Sequence, residues 1–114
     1  MNRHKYNVSP PDQRTYKGRV YHSKAEMIHA TTLDLDNAVA WWGRQVPFDL
    51  GEDHRYIADF LVQYEDGNQL EVHEVKGRET PAWRKTKQLW RKYGTLPLRV
   101  ITRGRTVEII RPQE

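Results

Sequence analysis

Residues 1–16 show no hydrophobic period; polar side chains dominate and Pro10-Pro11 interrupts the backbone. This predicts a basic, poorly ordered arm, with the folded domain in residues 17–114. Gly18 to His22 suits a short strand. Ser23 and Glu26 then form a capping box, Ser at the N-cap with Glu three residues on, which predicts a helix from Lys24 to about Leu35. Met27, Ala30 and either Leu33 or Leu35 would face a core, and Asp36-Asn37 would be the exit turn. Ala38 to Trp42 reads as a strand or as a continuation of that helix. Gln45 to Leu50 reads as a second extended piece, which Pro47 places at an edge or a bend.

Arg55 to Tyr64 has apolar residues at both odd and even positions, the pattern of a central strand. Glu65-Asp66-Gly67-Asn68 is a hairpin turn, and Gln69 to Lys76 returns as the partner strand, ending at Gly77. Thr80-Pro81 supplies an N-cap followed by proline at the first helical position. The helix to about Tyr93 carries Trp83, Trp90 and Tyr93 on one side and ends at Gly94. Leu98–Thr102 and Thr106–Arg111 close the chain as two strands around Arg103-Gly104-Arg105. Helix, strands, helix and strands in that order predict an α/β fold, a mixed sheet flanked by helices in a single domain.

Composition narrows the chemistry. The 114 residues contain no cysteine, which excludes disulfides, thiolate catalysis and thiolate zinc sites. Five histidines fall without ligand spacing. No apolar run approaches the ~20 residues of a membrane span, and the N-terminus has no apolar leader, so a cytoplasmic protein without a membrane partner is expected. A net charge of +4 and an isoelectric point near 9.5 suit either a nucleic-acid partner or a merely basic soluble protein. Four Trp and six Tyr suit base stacking and core packing alike. No glycine-rich phosphate loop and no Ser/His/Asp pattern occurs, which disfavours a nucleotide cofactor or acyl hydrolysis.

The informative segment is Tyr56-Ile57-Ala58-Asp59-Phe60 with Val72-His73-Glu74-Val75-Lys76-Gly77. A two-residue turn at Asp66-Gly67 puts Asp59 directly opposite Glu74, and strand alternation puts Lys76 on the same face as Glu74. A loop longer by one residue would break that register. Two opposed, partly buried carboxylates repel, and a divalent cation with hard oxygen ligands removes the objection. Lys76 would then orient the attacking water or stabilise charge developing on the phosphate. Glu-x-Lys is also common on solvated edge strands. Ile57, Leu61, Leu70 and Val72, expected on the same face, argue against that here. Five cations on the second helix suggest phosphate contacts, with Arg84, Lys85, Lys87 and Arg91 as candidates, or an exposed face enriched for solubility.

Asp59, the hairpin and Glu74-Val75-Lys76, preceded by a helix bearing Glu26, resemble the PD-(D/E)XK nuclease superfamily. More narrowly, the chain resembles small phage and prophage nuclease-like proteins through Lys5-Tyr6-Asn7, Tyr21-His22-Ser23-Lys24-Ala25-Glu26, Arg55-Tyr56-Ile57-Ala58-Asp59-Phe60 and Glu74-Val75-Lys76-Gly77. Ala58 stands where the superfamily pattern has proline. The resemblance implies a restriction-endonuclease-like fold and Mg²⁺-dependent phosphodiester hydrolysis, with Mn²⁺ as the other candidate ion. It implies Asp59, Glu74 and Glu26 as metal ligands and Lys76 as the catalytic lysine. The capping box is itself a complete structural explanation of Glu26.

Two catalytic versions follow. One is a Holliday junction resolvase-like enzyme of phage DNA recombination, cutting four-way junctions as a two-fold homodimer. The other is a general endonuclease on linear DNA. A non-catalytic basic DNA-binding module is the alternative of a different class.

Overall fold

A computed structural model describes residues 8–67 and 69–112, so Lys5-Tyr6-Asn7 of the resemblance and Asn68 of the hairpin turn lie outside the described residues. The chain divides into two compact units, the first ending at Asn37 and the second beginning at Ala38.

In the first unit a 3-10 turn, Pro11–Gln13, leads into a two-strand ribbon, β1 (Thr15–Tyr16) against β2 (Arg19–Val20), so order begins upstream of the expected boundary of the arm. Lys17 and Gly18 make the reversal with φ of 51° and 79°. Helix α1 spans Lys24–Leu35 as predicted, and Ser23 caps it by accepting the Glu26 N–H at 3.1 Å. Glu26, Ala30 and Leu33 are buried, whereas Leu35 is exposed. Tyr16 and Lys17 both reach Asp34, tying the ribbon to the helix.

The second unit is a mixed sheet of five strands in the order β3-β4-β5-β6-β7, with one helix. The strands are β3 (Val39–Asp49), β4 (Arg55–Tyr64), β5 (Leu70–Val75), β6 (Leu98–Thr102) and β7 (Arg105–Ile110). All neighbours are antiparallel except β5 and β6, which run parallel and are joined by α2 (Pro81–Tyr93). Parallel neighbours need such a crossover. The two extended pieces expected around Gly43 form one strand, and Pro47 is tolerated because β3 lies at the sheet edge.

Trp83, Leu89 and Trp90 of α2 pack on Tyr56, Ala58, Val72, Leu98, Val100 and Ile110 of the sheet. Trp90 is fully buried and donates its indole N–H to Leu96 O at 2.8 Å. Gly94 follows α2 with φ of −68°, which any residue adopts. Its lack of a side chain has another cause: a Cβ there would lie 2.6 Å from Trp90 O and 2.8 Å from the indole ring. Among the described residues no helix is long and apolar enough to cross a membrane.

Gly94→Ala is therefore expected to destabilise the protein by about 1–3 kcal/mol, because the pinned indole cannot yield. Gly77→Ala, where an added Cβ meets nothing within 4 Å, should change stability by less than about 0.5 kcal/mol. Urea denaturation of both variants checks the contrast.

Candidate active site on strands β4 and β5

The β4–β5 ladder pairs Phe60 with His73, Leu61 with Val72, Val62 with Glu71 and Gln63 with Leu70, the register that a turn centred on Asp66-Gly67 demands. Continued by one step it places Asp59 opposite Glu74. At that step the ladder stops. Asp59 Oδ2 instead accepts the Val75 N–H at 2.8 Å, so a side chain replaces a backbone acceptor. Both carboxylates are buried, Asp59 8% and Glu74 6% exposed.

The faces do not alternate as expected. Tyr56 and Ala58 belong to the core under α2, and Leu61 packs against that same core. Strict alternation forbids this, so β4 changes face between Ala58 and Leu61, at Asp59. In neighbouring β3, whose pairing skips from Arg44–Phe60 to Val46–Ala58, Gln45 has a φ of 57°. The consequence corrects one expectation: Ile57 is 52% exposed and does not share the buried face of the site. Tyr56 takes that place. Its ring sits 5.8 Å from Trp90, 6.0 Å from Trp83 and 6.4 Å from Phe48 between centroids, and its hydroxyl donates to Glu74 Oε1. Sequence reasoning missed Tyr56, although it lies in the informative segment, because alternation assigned it to the other face.

Electrostatics follow from this packing. Burial pushes the Glu74 carboxyl up to about 7, with the Asp59 charge adding to it. The Tyr56 hydroxyl, Lys76 and the Asp59 backbone N–H oppose the shift without cancelling it. Burial first and Glu74 second raise the Tyr56 phenol, which therefore stays a donor. Lys76 Nζ stands 3.5 Å from Glu74 Oε2 and 5.1 Å from the Trp83 ring centroid, and its side chain is 30% exposed. The structure thus gathers Asp59, Glu74 and Lys76, and adds Tyr56.

Glu26 lies in the first unit, buried at the third position of α1. Among the described residues no group of three or more histidine or acidic side chains is poised to hold a metal, so the donor set here is the Asp59–Glu74 pair. Two hard carboxylates meet what Mg²⁺ takes from a protein, the remaining positions falling to water and phosphate. The raised Glu74 carboxyl marks negative charge that a cation would relieve.

The four expected phosphate-binding residues differ among themselves. Lys87 is buried and held by Glu79 at 3.0 Å and Glu108 at 3.1 Å. Arg91 pairs with Glu108 at 3.2 Å and Lys85 with Glu52 at 3.8 Å. Arg84 is exposed and makes no ion pair among the described residues. On the other face of β5, Arg99 forks onto Glu71 at 2.8 and 3.1 Å, and His73 approaches Glu71 at 2.9 Å. Burial would raise the Glu71 carboxyl, but hydrogen bonds from His73 and Arg99 hold it down at about 2.

Comparison with family models, with curated proteins and with solved structures finds no match.

A carboxyl raised in the folded state stabilises the fold while protonated, and that stability is lost as pH rises from the unfolded value of 4.5 through about 7. In metal-free protein, Glu74→Gln should gain up to about 3 kcal/mol over wild type between pH 5 and pH 8. Guanidinium denaturation in EDTA at both values measures it; an unchanged difference would remove the raised carboxyl. In Tyr56→Phe, loss of the donor should move Glu74 higher still, read by ¹³C NMR of its carboxyl, and a downward move would contradict the assigned hydrogen bond.

Proposed function

We propose that the chain is a metal-dependent DNA endonuclease of the PD-(D/E)XK kind, with a restriction-endonuclease-like fold. We further propose that it selects branched DNA such as four-way junctions and works as a homodimer in the cytoplasm of a bacterial or phage-infected cell. The observation that carries the reading is the pair of buried carboxylates, Asp59 and Glu74, meeting where two strands part, with the Lys76 ammonium beside them. A pure binding module has no use for opposed buried carboxylates, which cost stability unless a cation joins them.

Asp59 and Glu74 would hold Mg²⁺ or Mn²⁺. Such an ion, when bound, supplies Lewis-acid polarisation of a phosphate and makes water more acidic. The chain's own residues do the rest. Val75 N–H fixes one Asp59 oxygen, and the Tyr56 hydroxyl fixes Glu74 through Oε1. Lys76, steadied by Glu74 and the Trp83 ring, is placed to orient the attacking water or to stabilise charge on the phosphoryl oxygens. In the hydrolysis, water gives up a proton to solvent as its oxygen bonds to phosphorus, the bond to the leaving sugar oxygen breaks, and that oxygen takes up a proton from solvent. The homodimer follows from function: resolving a junction takes two symmetric cuts.

End-labelled four-way junction, nicked duplex, linear duplex and single strand, each with Mg²⁺ or EDTA, test the reading. Paired symmetric cuts in the junction are expected, lost in EDTA and reduced at least about a hundredfold in Glu74→Ala. Cutting of linear DNA instead would keep the site and change the substrate. Binding without cutting of any substrate would leave the DNA-binding module.

A further inference from the structure

Because β5 and β6 run parallel, both end at the same end of the sheet. The two ends are locked together: Lys76 N–H donates to Ile101 O at 2.9 Å, and the Thr102 hydroxyl donates to Lys76 O at 2.8 Å. The next residues are Arg103-Gly104-Arg105. Arg103 has a φ of 53° and Gly104 of 76°, and Arg105 pairs back onto Thr102. Two successive positive φ values make the tight hairpin turn whose first position favours Asn, Asp or Gly. Arginine fits poorly there, because the left-handed region is strained for a long side chain.

Both Arg103 and Arg105 are exposed, and neither pairs with a carboxylate among the described residues. Arg78, two residues beyond Lys76, and Arg84, in the first turn of α2, are likewise exposed and unmatched among them. The cations further along α2 are matched: Lys85 and Lys92 by Glu52, Lys87 and Arg91 by Glu108. Unneutralised positive charge therefore gathers where Lys76 stands. A small cleft beside the lysine is lined by Lys76, Arg78, Trp83 and Thr102, together with Glu79 and Glu108, the two carboxylates that hold Lys87. The parallel ladder sets Thr102 level with Lys76 and Arg105 pairs with Thr102, so the tip begins one strand step, about 3.3 Å, beyond the lysine.

We propose that the Arg103-Gly104-Arg105 tip is a phosphate clamp, holding the DNA backbone next to the phosphate that meets Lys76. The inference rests on the nuclease reading for its ligand. Its test does not need cleavage. Binding of a fluorescent DNA duplex in EDTA is measured across salt concentrations for wild type, for the double variant Arg103→Asn with Arg105→Gln, and for Arg111→Gln at the opposite end of β7. Asparagine suits the turn, so the double variant should keep its thermal transition. Its log affinity against log salt should flatten by about 2, close to 0.9 per lost phosphate contact, while Arg111→Gln keeps the wild-type slope. An unchanged slope in the double variant, an equal flattening in Arg111→Gln, or no salt-dependent binding by wild type overturns the clamp. A flattened slope in a protein that cuts nothing keeps the clamp and removes the nuclease. Cutting with an unchanged slope does the reverse.

Discussion

Where Asp59 faces Glu74, two strands stop exchanging backbone hydrogen bonds and a carboxylate accepts the Val75 N–H in their place. A buried donor at that point has to be satisfied, and a lost ladder acceptor would leave it exposed to the full cost of desolvation. With Asp59 supplying the acceptor, β4 is free to change face. Tyr56 and Ala58 enter the core from one side of the change and Leu61 from the other. The rings of Phe48, Trp83 and Trp90 enclose Tyr56, and the phenol reaches Glu74. Core and candidate site are thus parts of one arrangement, and the face change at Asp59 is its pivot.

That pivot also marks how far the sequence could be read. The register of β4 on β5 was legible because a two-residue turn at Asp66-Gly67 permits one pairing, and Gln63–Leu70 through Phe60–His73 follow it. Both helices were legible from Ser23 and Thr80, whose side chains accept the N–H groups expected of caps. Alternation was not a safe guide past Asp59, because it assumes an unbroken pleat. It therefore put Ile57 where Tyr56 belongs, and no local residue signals the break; Gln45, with its positive φ, is on another strand. Charge on α2 was legible as charge but not as pairing. Sequence places Lys87 on a helix but not beside Glu79 and Glu108, which come from a loop and from β7.

Pairing of charge within the second unit sorts its cations into two kinds. Glu52 and Glu108 each take two cations from α2, and such pairs hold helix to sheet and loop with modest energy where exposed. Lys87, the buried member, reaches two carboxylates that are themselves well exposed, so its pairs too are screened by water. Arginines without such partners remain available to an anion, and the parallel ends of β5 and β6 bring several of them to the side of Lys76.

Strand β5 carries its own control for what the Asp59–Glu74 pair means. Glu71 and Glu74 are three residues apart, both largely withdrawn from water, and burial opposes ionisation of each. Glu71 meets Arg99 in a two-pronged ion pair with His73 beside it, and ends at about 2, an ionised group fully compensated by protein. Glu74 meets another carboxylate, one lysine at 3.5 Å and a tyrosine, and ends at about 7. The same strand thus holds one acid the fold has satisfied and one it has not. An apolar residue at position 74 would be the cheaper core, since buried charge rarely stabilises. In the proposed function a cation from outside the chain would remove the deficit, as a proton does without it, which is why Glu74, and not the better-bonded Glu71, is the residue on which the proposed catalysis turns.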